Sequence, residues 1–393
     1  MSTKTLVAGV GMVKFVKPGK NEQYDVMGSK AAQLALTDAG IPYDQVQQAY
    51  VGYVSGDTCS GQTALYGVGM TQIPIINVNN ACSTGSTALY LARQAVLSGV
   101  VDVALALGFE QMRPGALGLG ATDRTPITNR IDDAMREIRG YDDNVPTGLQ
   151  YFGGAGAEYL EKYHVDVELF GLISVKARSH AVRNPYALFS EPITLEQVMQ
   201  SPHVFGPLTR LMCCPPTCGA AAVVVISDRY AREHGIKRTV EIAGIGLATD
   251  SPASFASGSM INVVGAGMTR KASEAAYAEA GIDTDDIDLI ELHDCFSSNE
   301  AISYEALGLC PEGGADKFVR DGDNTYGGKV VTNPSGGLLS KGHPLGATGL
   351  AQITELTWHL RGDAGDRQVP HARVGVQHNV GLGGACVVTV LTR

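Results

Sequence analysis

Two rhythms of polar and apolar residues alternate along this chain. Short β-branched runs at 49–54, 102–107, 220–226, 288–292 and 373–377 predict strands. Between them lie longer stretches with apolar residues at helical spacing, predicting helices at 87–97, 155–163, 169–182 and 348–360. Strands regularly followed by helices point to the α/β class, with sheets covered by helices. No stretch approaches 18 uninterrupted apolar residues, so no membrane-spanning helix is expected.

The pattern repeats itself. Ala8-Gly9-Val10-Gly11-Met12 resembles Ala243-Gly244-Ile245-Gly246-Leu247, an offset of 235. Lys30-Ala31, Ala39-Gly40-Ile41 and Asp44 match Lys271-Ala272, Ala280-Gly281-Ile282 and Asp285 at an offset of 241. Cys82-Ser83-Thr84-Gly85-Ser86-Thr87-Ala88-Leu89 pairs with His343-Pro344-Leu345-Gly346-Ala347-Thr348-Gly349-Leu350 at an offset of 261. Three collinear matches indicate a duplicated α/β unit. Residues 113–206 interrupt it with a segment rich in Gly, Pro, Tyr and charge. The expected organisation is a first half at 1–112 and 207–228, an inserted loop domain at 113–206, and a second half at 229–393. A pseudo-twofold packing of the halves would bring the two matched helix openings together.

Composition excludes several functions. The 393 residues carry 40 acidic and 30 basic groups, a formal net charge of −10. A general nucleic-acid binder needs a basic face, so none is expected. Eight cysteines, at 59, 82, 213, 214, 218, 295, 310 and 386, show no C-x-x-C pair. That favours a reduced, cytoplasmic protein over a disulfide framework, and no metal site. Gly9-Val10-Gly11 lacks the third glycine of a dinucleotide fingerprint, and no phosphate-binding Walker sequence appears.

Chemistry gathers at the repeats. Cys82 at a helix opening would meet unpaired N–H groups and the positive end of the helix dipole, which favour thiolate and can hold an oxyanion. A buried structural cysteine is the other role for such a position. His343, at the matched opening, could take the thiol proton; helix capping is its alternative. His293-Asp294-Cys295-Phe296 follows a strand, where open α/β sheets place their sites. Cys295 would be a second thiol that moves a proton at carbon, and His293 a donor to an enolate oxygen; a polar strand end is the plainer possibility. Gly381, in Gln377-His378-Asn379-Val380-Gly381, could lend an N–H to an oxyanion or serve a simple turn.

These motifs together resemble the thiolase superfamily. Asn79-Asn80-Ala81-Cys82-Ser83 and Gly342-His343-Pro344-Leu345-Gly346 carry the likeness, and His293-Asp294-Cys295-Phe296 narrows it to the sterol-carrier-protein type. The resemblance covers essentially the whole chain. It implies a duplicated, five-layered αβαβα fold with an inserted loop domain that binds coenzyme A. It also implies Cys82 as the acylated nucleophile, His343 as its activator and Cys295 as the acid/base at carbon 2. His293 and His343 would hold the thioester oxygen, and the N–H groups of Cys82 and Gly381 a tetrahedral oxyanion. Other thiolases carry a cysteine where this chain has Asn379. Retro-aldolase relatives lose the nucleophile that Cys82 retains here.

The implied reaction is thiolytic cleavage of a 3-oxoacyl-CoA to acetyl-CoA or propionyl-CoA and a shortened acyl-CoA, reversible as a Claisen condensation. A carbon-acylating biosynthetic enzyme and a non-catalytic acyl-CoA or lipid-binding subunit are the alternatives. Coenzyme A enters as substrate, with no other cofactor, and a homodimer or homotetramer is expected. The insertion holds nine Lys/Arg and twelve Asp/Glu, so any phosphate-binding patch in it is local. Lys176, Arg178 and Arg183 share one helical stretch there and are expected to form a solvated face.

Overall fold

A computed structural model describes residues 4–114 and 123–393. Ten strands form its main sheet: β1 (Thr5–Met12), β2 (Gln48–Gly52), β3 (Ile75–Val78), β4 (Val103–Glu110), β5 (Gly219–Ser227), β6 (Val240–Ala248), β7 (Leu289–Glu291), β8 (Val331–Thr332), β9 (Val374–Gly381) and β10 (Ala385–Thr392). Their spatial order is β8-β7-β9-β10-β6-β1-β5-β4-β2-β3. Read outward from the centre, each half has the same sequence of strands, offset by five. Strands β1 and β6 join the halves through the antiparallel pairs Leu6↔Glu241 and Val7↔Val240. β4 and β5 are buried at every position, which explains their continuous apolar runs.

Seven helices matter here: α1 (Tyr24–Ala39), α2 (Thr84–Leu97), α3 (Thr147–Tyr163), α4 (Glu168–Ala181), α5 (Ala266–Ala280), α6 (Ser297–Ala306) and α7 (Thr348–Arg361), of which α1, α2, α5 and α7 cover the sheet. α2 and α7 pack on each other between the half-sheets; α1 lies against β1 and β5, and α5 against β6 and β10. Five layers result, as the resemblance implied, though the two sheets are continuous at the β1–β6 seam. The repeated glycines and alanines have one physical purpose. A Cβ on Gly9 would lie 2.2 Å from the Ala35 carbonyl oxygen, and one on Gly244 2.2 Å from that of Ala276. Bare glycine on the strand and alanine on the helix let backbone approach backbone at both places.

The segment between β4 and β5 carries α3, α4, two further helices at Asn129–Ile138 and Leu195–Met199, and a ribbon pairing His203–Phe205 with Leu208–Thr209. Residues 115–122 of the expected insertion lie outside the described residues. α3 begins at Thr147, earlier than the apolar spacing indicated, because glycines and a glutamine occupy its first turns. Tyr151, Phe152, Phe170 and Ile173 of this segment share one apolar core with Ile290, Leu292 and Val376 of the second half. The segment leaves the first half in sequence and docks on the second in space.

The solvated face expected of α4 is a correction. Lys176 and Arg178 are only 8% and 9% exposed. Lys176 Nζ pairs with the buried Glu300 of α6 and donates to Thr332 Oγ1 at 2.6 Å. Arg178 donates to Ser340 Oγ and lies over the Phe189 ring. Of the three, only Arg183 faces solvent, over the Tyr326 ring. These cations are buried because α4 is clasped between the insertion and the second half.

Candidate active site

Cys82 stands just before α2, whose N-cap is Ser83. A tight turn sets it there: Ser83 and Thr84 N–H donate to the carbonyls of Asn80 and Ala81, and Thr84 Oγ1 accepts the Asn80 N–H at 2.7 Å. Ala81 adopts φ 48°, a left-handed conformation costing a non-glycine residue about 1–2 kcal/mol. Such strain persists where the surroundings impose it. The cysteine is partly exposed, but its thiol is set deep enough for desolvation to act on it.

His343 precedes α7 by five residues, in an isolated bridge to Pro216 rather than in the helix itself. Its backbone N–H donates to Thr217 Oγ1 at 3.2 Å, and Gly346 N–H donates to the buried carboxylate of Glu110 at 3.0 Å. The matched openings do meet. A Cβ on Gly85 would lie 2.6 Å from the Gly346 carbonyl oxygen, and one on Gly349 2.0 Å from Ser86 Oγ. Glycine at these points is what lets the two turns close on each other.

That closure gathers the chemistry. Cys82 Sγ and one ring nitrogen each of His293 and His343 lie within 4.8 Å of one another. The two imidazoles meet edge to face, with centroids 5.0 Å apart. His343 Nδ1 is 2.7 Å from Thr348 Oγ1, whose own proton goes to the Pro344 carbonyl. The hydroxyl therefore accepts from Nδ1–H, and Nε2 carries a lone pair. Nε2 is buried without a hydrogen-bond partner, poised to accept a proton.

The charge state differs from the one a helix opening suggests. Burial first, and then the Glu110 carboxylate, push the Cys82 thiol up to about 12; its own N–H and that of Leu382 pull it down less. Burial lowers His343 to about 3. An ion pair at about 5 Å gains roughly 3–4 kcal/mol at an effective dielectric of about 20, too little to close that gap. The resting pair is thiol and neutral imidazole: desolvation outweighs the two N–H groups that reach the sulfur, and the helix itself begins only at Thr84, two residues on.

His293 leaves the end of β7 into that cluster, and Cys295, two residues on, lies near enough for the charge of Cys82 to act on it. Phe296 stacks on Phe152 of α3 with centroids 4.8 Å apart, so the insertion roofs this loop. Cys295 is 5% exposed, and burial, then Cys214 and Cys82, raise its thiol well above the usual range. Asp294 turns the other way and accepts the Leu338 N–H at 2.7 Å, anchoring the segment that leads to His343. Asn379 Nδ2 lies 2.9 Å from His293 Nδ1, and Ser86 Oγ donates to Asn379 Oδ1 at 2.9 Å. β9 continues through Gly381, beyond the strand end expected at residue 377. A Cβ at Gly381 would lie 2.1 Å from the Asn80 carbonyl oxygen, so glycine is required there by close approach.

The chain matches the thiolase N-terminal domain over residues 6–229 and a thiolase C-terminal domain-like family over 253–393. It belongs to the thiolase family. Sterol carrier protein 2 of Bos taurus is 51% identical over 393 residues, covering 99% of this chain and 72% of that protein. Among solved structures, an Ltp2-ChsH2(DUF35) aldolase superposes with a TM-score of 0.84 at 24% identity, over 99% of this chain and 97% of that one. Human mitochondrial 3-ketoacyl-CoA thiolase in complex with CoA gives 0.73 at 18% identity, over 100% and 98%. Both structures share the thiolase fold described above. Family membership makes the chain an acyltransferase.

Several residues of this thiolase site were missed by sequence reasoning. Glu110, Thr348, Leu382 and Asp294 act on the cluster through hydrogen bonds or charge. Glu110 alone left a legible trace, as a carboxylate closing an otherwise apolar strand. No described helix is long and apolar enough to cross a membrane.

Proposed function

We propose that this thiolase cleaves 3-oxoacyl-CoA esters with coenzyme A, using Cys82, His343, Cys295 and His293. The observation that carries the reading is the convergence of one sulfur and two imidazoles within 4.8 Å, drawn from both halves of the duplication. His343 Nε2 takes the Cys82 proton as sulfur attacks the 3-keto carbon. The bond between carbons 2 and 3 breaks, and acetyl-CoA leaves as its enolate, or propionyl-CoA where carbon 2 bears a methyl. The N–H of protonated His343 and that of His293 hold the thioester oxygen. Cys295, kept as a thiol by burial, gives its proton to the enolate carbon. The thiolate left on Cys295 then takes the proton of incoming coenzyme A, whose sulfur attacks the acyl group on Cys82. The N–H groups of Cys82 and Gly381 hold that oxyanion. Collapse returns the proton from His343 to Cys82, and no other cofactor is needed.

The insertion, roofing Phe296 through Phe152, is the proposed seat of the coenzyme A contacts. A cytoplasmic homo-oligomer in lipid degradation is the accompanying proposal. The test is a ladder of 3-oxoacyl-CoA chain lengths incubated with coenzyme A. Thioester loss with stoichiometric acetyl-CoA is expected. Product only in the condensing direction would favour the biosynthetic alternative, and no turnover in either direction would overturn the assignment.

A further inference from the structure

We propose that a one-way hydrogen-bond chain through Gln352, Gln377, Ser86 and Asn379 fixes His293 as the tautomer protonated on Nε2. This makes Asn379 the positioning residue for the oxyanion-facing N–H. The inference rests on the reading of the site as a 3-oxoacyl-CoA thiolase and assigns a task to the residue that replaces the usual cysteine.

The direction of the chain is set at its far end. Gln352 Nε2 is 3.1 Å from the His378 carbonyl oxygen, which can only accept. Gln352 therefore turns Oε1 towards Gln377, whose Nε2 donates to it at 3.0 Å. The same Nε2 donates to Ser86 Oγ at 2.9 Å, while Gln377 Oε1 accepts from Thr389 at 3.0 Å. With one lone pair of Ser86 taken, its proton goes to Asn379 Oδ1. Asn379 Nδ2 then faces His293 Nδ1 at 2.9 Å, and an amide NH2 can only donate. Nδ1 is left without a proton, so neutral His293 carries it on Nε2.

Reversing Asn379 would leave the Ser86 hydroxyl proton without an acceptor at a fully buried position. The four amide and hydroxyl residues are all buried, so water does not scramble the order. The loop is held independently: His293 N–H donates to His378 Nδ1 at 3.4 Å, and the His293 carbonyl accepts from Asn299 Nδ2 at 2.5 Å. Opposite, Thr348 imposes the other tautomer on His343. The two imidazoles are thus sorted into one donor and one acceptor before substrate arrives.

Asn379→Asp tests this with almost no change of shape. The carboxylate still accepts from Ser86, but it now also accepts from Nδ1–H of His293 and raises that imidazole's pKa. At higher pH the proton sits on Nδ1 and the Nε2–H donor is lost. At lower pH the imidazolium regains it. The expected result is a kcat for cleavage lower by about 10²-fold at high pH, the scale of one lost oxyanion donor, recovering as pH falls, with KM within about threefold. Wild type should lack this limb. In the wild type, nitrogen-15 NMR of labelled histidine, assigned with His293→Gln, should show His293 protonated on Nε2 and bare on Nδ1.

A proton on Nδ1 in the wild type overturns the proposal, whether or not the variant folds. So does an Asn379→Asp enzyme whose loss is independent of pH, or that loses nothing. The NMR result does not depend on turnover, so an inactive wild type would refute the substrate assignment and leave the tautomer measured.

Discussion

The two halves share strand order, strand–helix contacts and helix openings, yet they carry different chemistry. The first half supplies one reactive group, Cys82, partly exposed at a strained turn. Its strand end at β4 closes with Glu110, a carboxylate that ties backbone together by accepting N–H from Val54, Ser55 and Gly346. The second half supplies His293, Cys295, His343, His378 and Asn379, all buried. It also buries Glu291, Asp294, Glu300, Lys341, Glu355 and Arg367, a polar interior the first half lacks on that scale. Duplication of the fold thus fixed where loops end, while loop residues diverged into a lone thiol on one side and imidazoles, a second thiol and an amide on the other.

Removing the single group of the first half is expected to have the largest effect. Cys82→Ala should lower thiolysis by about 10⁴-fold or more and abolish any acyl-enzyme, as read by a thioester assay. Turnover within tenfold of wild type would remove the first half from the chemistry. Cys295→Ala, in the second half, should slow carbon–carbon cleavage by about 10²–10³-fold. Exchange of labelled coenzyme A into an acyl-CoA should be slowed far less, because it makes no proton transfer at carbon and uses Cys295 only for the coenzyme A proton. Loss of both together would contradict separate roles for the two sulfurs.

The buried cations sharpen the contrast further. Lys176→Ala leaves Glu300 unpaired and should cost about 3–5 kcal/mol in urea unfolding. Arg183→Ala, exposed on the same stretch, should stay within about 0.5 kcal/mol. Equal effects would restore the solvated face expected from sequence. A last contrast concerns pH. With the Cys82 thiol near 12, its thiolate fraction rises about tenfold per pH unit below that value. Iodoacetamide labelling of the Cys82 peptide should therefore climb between pH 6 and about 9, measured by peptide mass. A plateau near neutrality would mean that the helix dipole wins over burial.

Most of the fold was legible because the duplication is written in residues under steric constraint. Gly9 and Gly244, or Gly85 and Gly346, allow contacts that a side chain would block, and so left a repeated trace. The encounter of Cys82 with His343 followed from the same matches. What was not legible depends on long-range burial. Nothing local at Lys176 announces Glu300, 124 residues away. Nothing at Asn379 announces its bond to His293 or Ser86, and the thiol's charge state depends on how deeply both halves enclose it. A helix opening is a local feature and marks Cys82 in the sequence; desolvation is a global one and sets how little of its thiol ionises.

Cys82 is proposed to take the acyl group at a site shared by both halves. Brief exposure of the protein to acetoacetyl-CoA without free coenzyme A, followed by intact-mass and peptide analysis, tests it directly. One added acetyl group on the Cys82 peptide, absent from Cys82→Ala, is the predicted result. An unmodified Cys82, or an adduct of equal yield in Cys82→Ala, would contradict it.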